Sequence, residues 1–150
     1  MKKSLFDPKA AETIINRVQE LKPDAPNRWG EMNATEMLLH CNSCNREILQ
    51  GARGSKKTTA KQYLLRILAL YLAPHFKKGI KSESHHITKG KIEATHFEEE
   101  KNNFINLIQE FSLTKKELTL THPAFGNIST NEWGIAAYKH MDHHLRQFGV

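Results

Sequence analysis

Apolar positions recur at helical spacing along most of the 150-residue chain, and capping residues punctuate the runs. In "DPKAAETIINRVQEL", Ile14, Ile15, Val18 and Leu21 share one side of a helix, with Asp7 as N-cap and Pro8 at the first helical position. The proline-rich "PDAPNRWG" follows as a connector. A second helix starts at "NATE", where Asn33 and Glu36 have the spacing of a capping box, and it runs to Gly51. A third covers roughly Thr59 to Ala73 and stops at Pro74. "THFEEEKNNFINLIQEF" offers Thr95 and Glu98 as another capping box, with acids in the first turn where they suit the helix dipole. After the "THPAFGN" turn, Ser129 and Glu132 cap a last helix.

Only "KKGIKSESHHITKGKIEA" lacks a clear period, and it reads as a long basic loop with room for a short extended pair. No internal repeat interrupts this order. The elements predict an all-α fold, an up-down four-helix bundle with an additional short helix and a long basic loop, as a single domain over residues 1–150.

Composition changes this picture little, and charge changes it in one place. The 39% hydrophobic content is ordinary for a soluble domain. "SLFDPKAAE" breaks any leader-like apolar stretch at the start, and "YLLRILALYLAP" falls short of the roughly 20 residues a membrane span needs. Two cysteines, Cys41 and Cys44, are too few for a disulfide framework and predict reduced thiols in a cytoplasmic protein. The net charge of +6 is unevenly spread. Arg53 to Lys91 holds ten Lys/Arg against one acid (10 − 1 = +9), and the rest holds twelve against fifteen (12 − 15 = −3). The basicity is a local patch without a recognised reader motif, so nucleic acid is not the expected partner.

The candidate chemistry lies in the histidines. At about 100° per residue, His140 and His144 stack one turn apart on the margin of a face formed by Trp133, Ala137, Met141, Leu145 and Phe148. His143 leans toward solvent, and Lys139, Asp142 and Arg146 lie opposite, which makes Asp142 a surface group. An i, i+4 histidine pair is either packed or solvated, or it offers two imidazoles to one ion. On the second helix His40 also borders the apolar stripe, one turn from Cys44, and could supply a third ligand if the two helices are neighbours. Three protein ligands leave positions open for water or substrate. "CNSC" sits mid-helix, away from the dipole that depresses a thiol pKa, so both cysteines read as core packing, with Cys44 as a neighbour of an ion the alternative. His85 and His86 fall in the basic loop as exposed residues, and His122, before a proline, shapes a turn.

A histidine in the second helix followed by "HMDHHLRQ" in the last resembles the DinB-like superfamily of metal-binding four-helix bundles. "LFDP", "RWGEMNATEMLLHC" and "HPAFGNISTNEWGIAAYKHMDHHLRQFGV" are similar to an uncharacterised branch of it. The resemblance implies His40, His140 and His144 as ligands of a divalent metal, zinc or nickel, and excludes His143. Gln147 matches the family's glutamine, whereas Leu145 and Arg146 replace the Arg-Gly of better-known relatives, a change that touches substrate contacts. The implied activity is that of a metal-dependent thiol transferase or hydrolase, with a small-molecule thiol or electrophile as substrate and a homodimer as the assembly. The alternative is a non-catalytic metal-binding or stress-response bundle. Glu47 and Glu36 are the candidates for a role in supporting the ligands or in proton transfer.

Overall fold

The protein is described by a computed structural model covering residues 2–150. Five helices dominate it: α1 (Pro8–Glu20), α2 (Ala34–Gln50), α3 (Ala60–Arg66), α4 (Phe97–Leu113) and α5 (Thr130–Gln147). The only sheet among the described residues is a two-residue antiparallel pair, β1 (Thr121–His122) and β2 (Gly126–Asn127). The fold is all-α in this broad sense. No helix among the described residues is long and apolar enough to cross a membrane.

The caps form largely where the sequence places them. Asp7 accepts from the Lys9 backbone N–H, and reciprocal capping boxes close at Asn33–Glu36 and Ser129–Glu132. Each satisfies backbone donors that an open first turn would leave without partners. The expected Thr95–Glu98 box does not form. A 3-10 turn over Ala94–His96 carries the chain into α4 and puts His96 in the cap position, with no side-chain cap.

Four long helices pack as a ring, α1 on α4, α4 on α2, α2 on α5 and α5 on α1. Ile14, Val18, Met37, Leu38, Phe104, Ile108, Phe111, Met141 and Leu145 fill the middle. Fully burying each such side chain contributes about 1.5–3 kcal/mol. Gly134 lets the N-terminal segment lie directly on α5. A Cβ there would meet Ser4 Oγ at 2.3 Å and Phe6 Cδ2 at 2.4 Å, and the Gly134 carbonyl accepts from Leu5 N–H at 3.1 Å. Opposite α5, the buried Asn42 donates to both the backbone and the carboxylate of Glu100, tying α2 to α4.

The third helix departs from regular geometry. After Arg66 it continues as a π-helical turn over Ile67–Leu72, ending before Pro74. Lys139 of α5 donates to the carbonyls of Ala69 and Ala73 there, and Arg66 pairs with Glu132 at 3.3 Å. Only Leu70 of this stretch is buried, whereas Tyr63, Leu64, Leu68 and Leu72 are exposed. The extended pair expected within the basic loop is not there. Residues 75–93 hold only a 3-10 turn at Ser84–His86, and the extended pair lies at the "THPAFGN" turn instead. In that turn His122 Nδ1 accepts from the backbone of Ala124 and Phe125, its turn-shaping role.

Candidate metal centre

The contact between α2 and α5 brings His40, His140 and His144 together. His40 Nε2 lies 3.1 Å from His140 Nε2, and His144 Nε2 lies 3.0 Å from the same atom. The His40 and His144 rings are 4.7 Å apart between centroids, in edge-on contact. His40 and His144 are buried, and His140 keeps a little exposure. The helical stacking of His140 over His144 arises from their i, i+4 spacing, and Met141 and Leu145 beside them anchor that face in the core.

What surrounds the rings fixes which nitrogen faces inward. His40 Nδ1–H donates to the His86 carbonyl at 2.8 Å. His144 Nδ1–H donates to Gln147 Oε1 at 2.9 Å, and Gln147 Nε2 donates onward to the Trp29 carbonyl at 2.6 Å. Both rings are thereby held as the tautomer whose Nε2 presents a lone pair to the cluster. Gly30 makes room for the Gln147 contact. It has φ of +78°, and a Cβ would come within 2.6 Å of Gln147 Nε2. Burial lowers the pKa of all three histidines, with mutual repulsion adding to it at His140 and His144. His140 falls well below the ordinary value and His144 falls to about 3. The cluster is neutral, the state in which imidazole binds a metal.

This donor set fits a divalent ion. Two imidazoles on one ion, each at about 2.0–2.1 Å, lie roughly 2.9–3.4 Å apart, and the two separations to His140, 3.1 and 3.0 Å, fall in that range. Hydrogen bonding within the cluster cannot satisfy all three nitrogens. With both Nδ1–H groups directed outward, the single proton available on His140 Nε2 serves two acceptors. Two lone pairs aimed at the His140 nitrogen, on rings whose outer nitrogens are pinned by acceptors, are features that a coordination site requires.

Cys44 departs from the core-packing role expected of it. Its Sγ lies 3.9 Å from His40 Nε2, and His40, Cys44 and His140 place their donor atoms within 4.8 Å of one another. Burial, with the charges of Glu47 and Glu83 adding to it, pushes the thiol up to about 12. Cys41 does behave as core: it is fully buried, and its Sγ contacts Met37 Sδ at 3.7 Å. Both cysteines are free thiols.

The two candidate acids are engaged elsewhere. Glu36 Oε2 accepts from Asn33 N–H and Oε1 from Gly90 N–H, so its carboxylate caps α2 and pins the loop. Glu47 Oε2 accepts from His86 Nε2 at 2.5 Å and from His85 Nε2 at 3.2 Å. These three residues form a second group whose donor atoms lie within 4.8 Å of one another. His86, expected to be exposed, is buried. The 3-10 turn presses it onto α2, where Nδ1 pairs with Ser43 Oγ at 2.9 Å and its carbonyl holds His40. His85 is exposed, as expected. His143 stacks edge-on against Trp29 at 5.5 Å and stays outside the cluster. Asp142 is half-buried rather than at the surface, because Arg17 of α1 pairs with it at 2.7 Å. His86 was missed as a supporting residue because an aperiodic loop gives no direction to its side chains, and Ser43 of α2 because its partner lies in that loop.

Residues 2–149 match the family described as "Protein of unknown function (DUF1569)". No curated protein and no solved structure matches the chain. The chain belongs to the DUF1569 family.

Proposed function

We propose that this DUF1569 protein is a single-domain, DinB-like four-helix bundle in which His40, His140 and His144 hold one divalent ion, zinc or nickel. We read it as a metal-dependent enzyme of small-molecule chemistry, a thiol transferase or hydrolase, working in the cytoplasm where its two thiols stay reduced. The observation that carries the reading is the approach of His40 Nε2 and His144 Nε2 to His140 Nε2, at 3.1 and 3.0 Å, with His40 and His144 locked by outer acceptors. The ring of four helices and the histidine spacing support the DinB-like assignment.

When bound, such an ion supplies a nucleophile near neutral pH by stabilising a thiolate or lowering the pKa of water. The chain's part is to orient and to exclude water. The His86 carbonyl and Gln147 aim two imidazoles, and the helices keep the donors on rigid backbone. Buried surroundings keep all three rings in the metal-binding protonation state.

One observation favours the second reading, a non-catalytic metal-binding or stress-response bundle. Glu36 and Glu47 both have their carboxylates committed to other donors, and neither is directed at the cluster as a general base. Protein purified without nickel resin and supplied with zinc tests the first claim. One ion per chain is expected, with stoichiometric loss in His140→Ala and His144→Ala. A wild type that retains no ion contradicts the site. Turnover of a thiol–electrophile pair or a hydrolysable ester by the loaded protein supports the enzyme, and its absence across a broad panel favours the non-catalytic bundle.

A further inference from the structure

We infer that Cys44 is the fourth protein donor of the centre, so that the ion is held by three imidazoles and one thiolate of this chain. The inference rests on the three-histidine site and, because four protein donors close a tetrahedral shell, it favours the second, non-catalytic reading over the enzyme.

Three observations lead there. Cys44 stands one helical turn after His40, on the same face of α2, with Sγ 3.9 Å from His40 Nε2. A nitrogen at about 2.0–2.1 Å and a sulfur at about 2.3 Å on one ion lie roughly 3.1–3.6 Å apart. Toward His40, Sγ therefore needs to close by only about a few tenths of an ångström, within the reach of a small side-chain adjustment. Second, His140 completes a group with Cys44 and His40, so the sulfur faces two of the three rings and not one alone.

The third observation is electrostatic. Three neutral imidazoles would leave a divalent charge uncompensated in a buried place, which is costly. Glu36 and Glu47, the nearby acids of α2, are bound to Asn33 and Gly90 and to His85 and His86. Cys44 is the remaining group of that helix face able to become an anion. On coordination its S–H bond breaks, the proton leaves to solvent, and the sulfur pair goes to the ion. The ligand class follows from the donors: a thiolate with three imidazoles selects zinc or a similar borderline ion over magnesium and calcium. Cys41 cannot substitute, because its sulfur is turned into the core against Met37.

Cobalt(II) reconstitution of the reduced, full-length protein tests this by absorption spectroscopy. The expected spectrum has visible ligand-field bands and a thiolate-to-cobalt charge-transfer band in the near ultraviolet. Cys44→Ser should lose the charge-transfer band, keep visible bands, and bind zinc more than about 100-fold more weakly, beyond what loss of an outer-shell partner produces. Cys41→Ala should keep the band. Visible bands without charge transfer in the wild type overturn the role of Cys44 and leave the three histidines standing. A band that survives Cys44→Ser also overturns it, and no cobalt binding at all overturns both readings. The wild-type spectrum decides whether a thiolate is present without any variant having to fold.

Discussion

Two histidine clusters lie along α2, and they resolve the same problem of buried ring nitrogens in opposite ways. At Glu47, the Nε2 atoms of His85 and His86 donate to one carboxylate oxygen, so donors meet an acceptor and the group is satisfied from within. At the other cluster, the Nε2 atoms of His40 and His144 both face that of His140, with no carboxylate among them. The first cluster carries its own counter-charge and stands half in solvent, with the His85 side chain 54% exposed. The second is buried, neutral and short of protons. Proximity of histidines alone therefore says little. The lesson lies in the outer nitrogens, which in the second cluster are tied to a carbonyl and an amide that turn the lone pairs inward.

The clusters are also joined. His86 donates through its ring to Glu47 and accepts through its carbonyl from His40. The loop cluster thus acts as a strut for the helical one. This gives the loop a positioning role that its lack of periodicity concealed.

The largest expected effect separates the clusters outright. His144→Ala should abolish stoichiometric zinc, whereas His85→Ala should leave one ion per chain, as read by elemental analysis after dialysis. A result in which His85→Ala empties the protein would reverse the assignment of the two clusters. Next in size is the loss of an outer partner. Gln147→Ala frees the His144 ring and should weaken zinc binding about 10- to 100-fold in calorimetric titration. Gly30→Ala should weaken it in the same direction, since its Cβ would displace Gln147 Nε2, and should cost about 1 kcal/mol of stability for the positive φ.

The smallest effect concerns pH. Burial raises the Glu47 carboxyl, but hydrogen bonds from His85 and His86 outweigh it and hold the group below its ordinary 4.5. A carboxyl with a depressed folded pKa stabilises the fold above the unfolded value, and the contribution disappears as pH falls through the folded one. Glu47→Gln should therefore be less stable than the wild type above about pH 4.5, with the gap closing on further acidification. Because the side chain is 37% exposed, solvent screening should limit the gap to about 1 kcal/mol or less. Denaturant unfolding of both proteins at several pH values measures it.

The helical cluster was legible in the sequence and the loop cluster was not, for a physical reason. Along α2 and α5 a fixed turn angle relates residue number to direction, so His140 and His144 could be set on one face and His143 off it. The Asn33 and Ser129 capping boxes were readable on the same ground, since a cap is a contact between neighbours three residues apart. His86 obeys no such rule, because a 3-10 turn anchored by Ser43 and Glu47 sets its direction. The Thr95–Glu98 pair shows the opposite failure, a correct local motif overridden by the turn that puts His96 at the cap. Cys44 fell between the two. Helical spacing puts it one turn from His40, but only the packing of α5 against α2 shows that it faces His140 as well.

An anomalous difference map from crystals grown with zinc, recorded on both sides of the zinc edge, tests the central claim most directly. The account predicts one peak between α2 and α5, about 2.0–2.1 Å from Nε2 of His40, His140 and His144. A peak at Glu47, His85 and His86 instead, or no peak in zinc-saturated crystals, would contradict it.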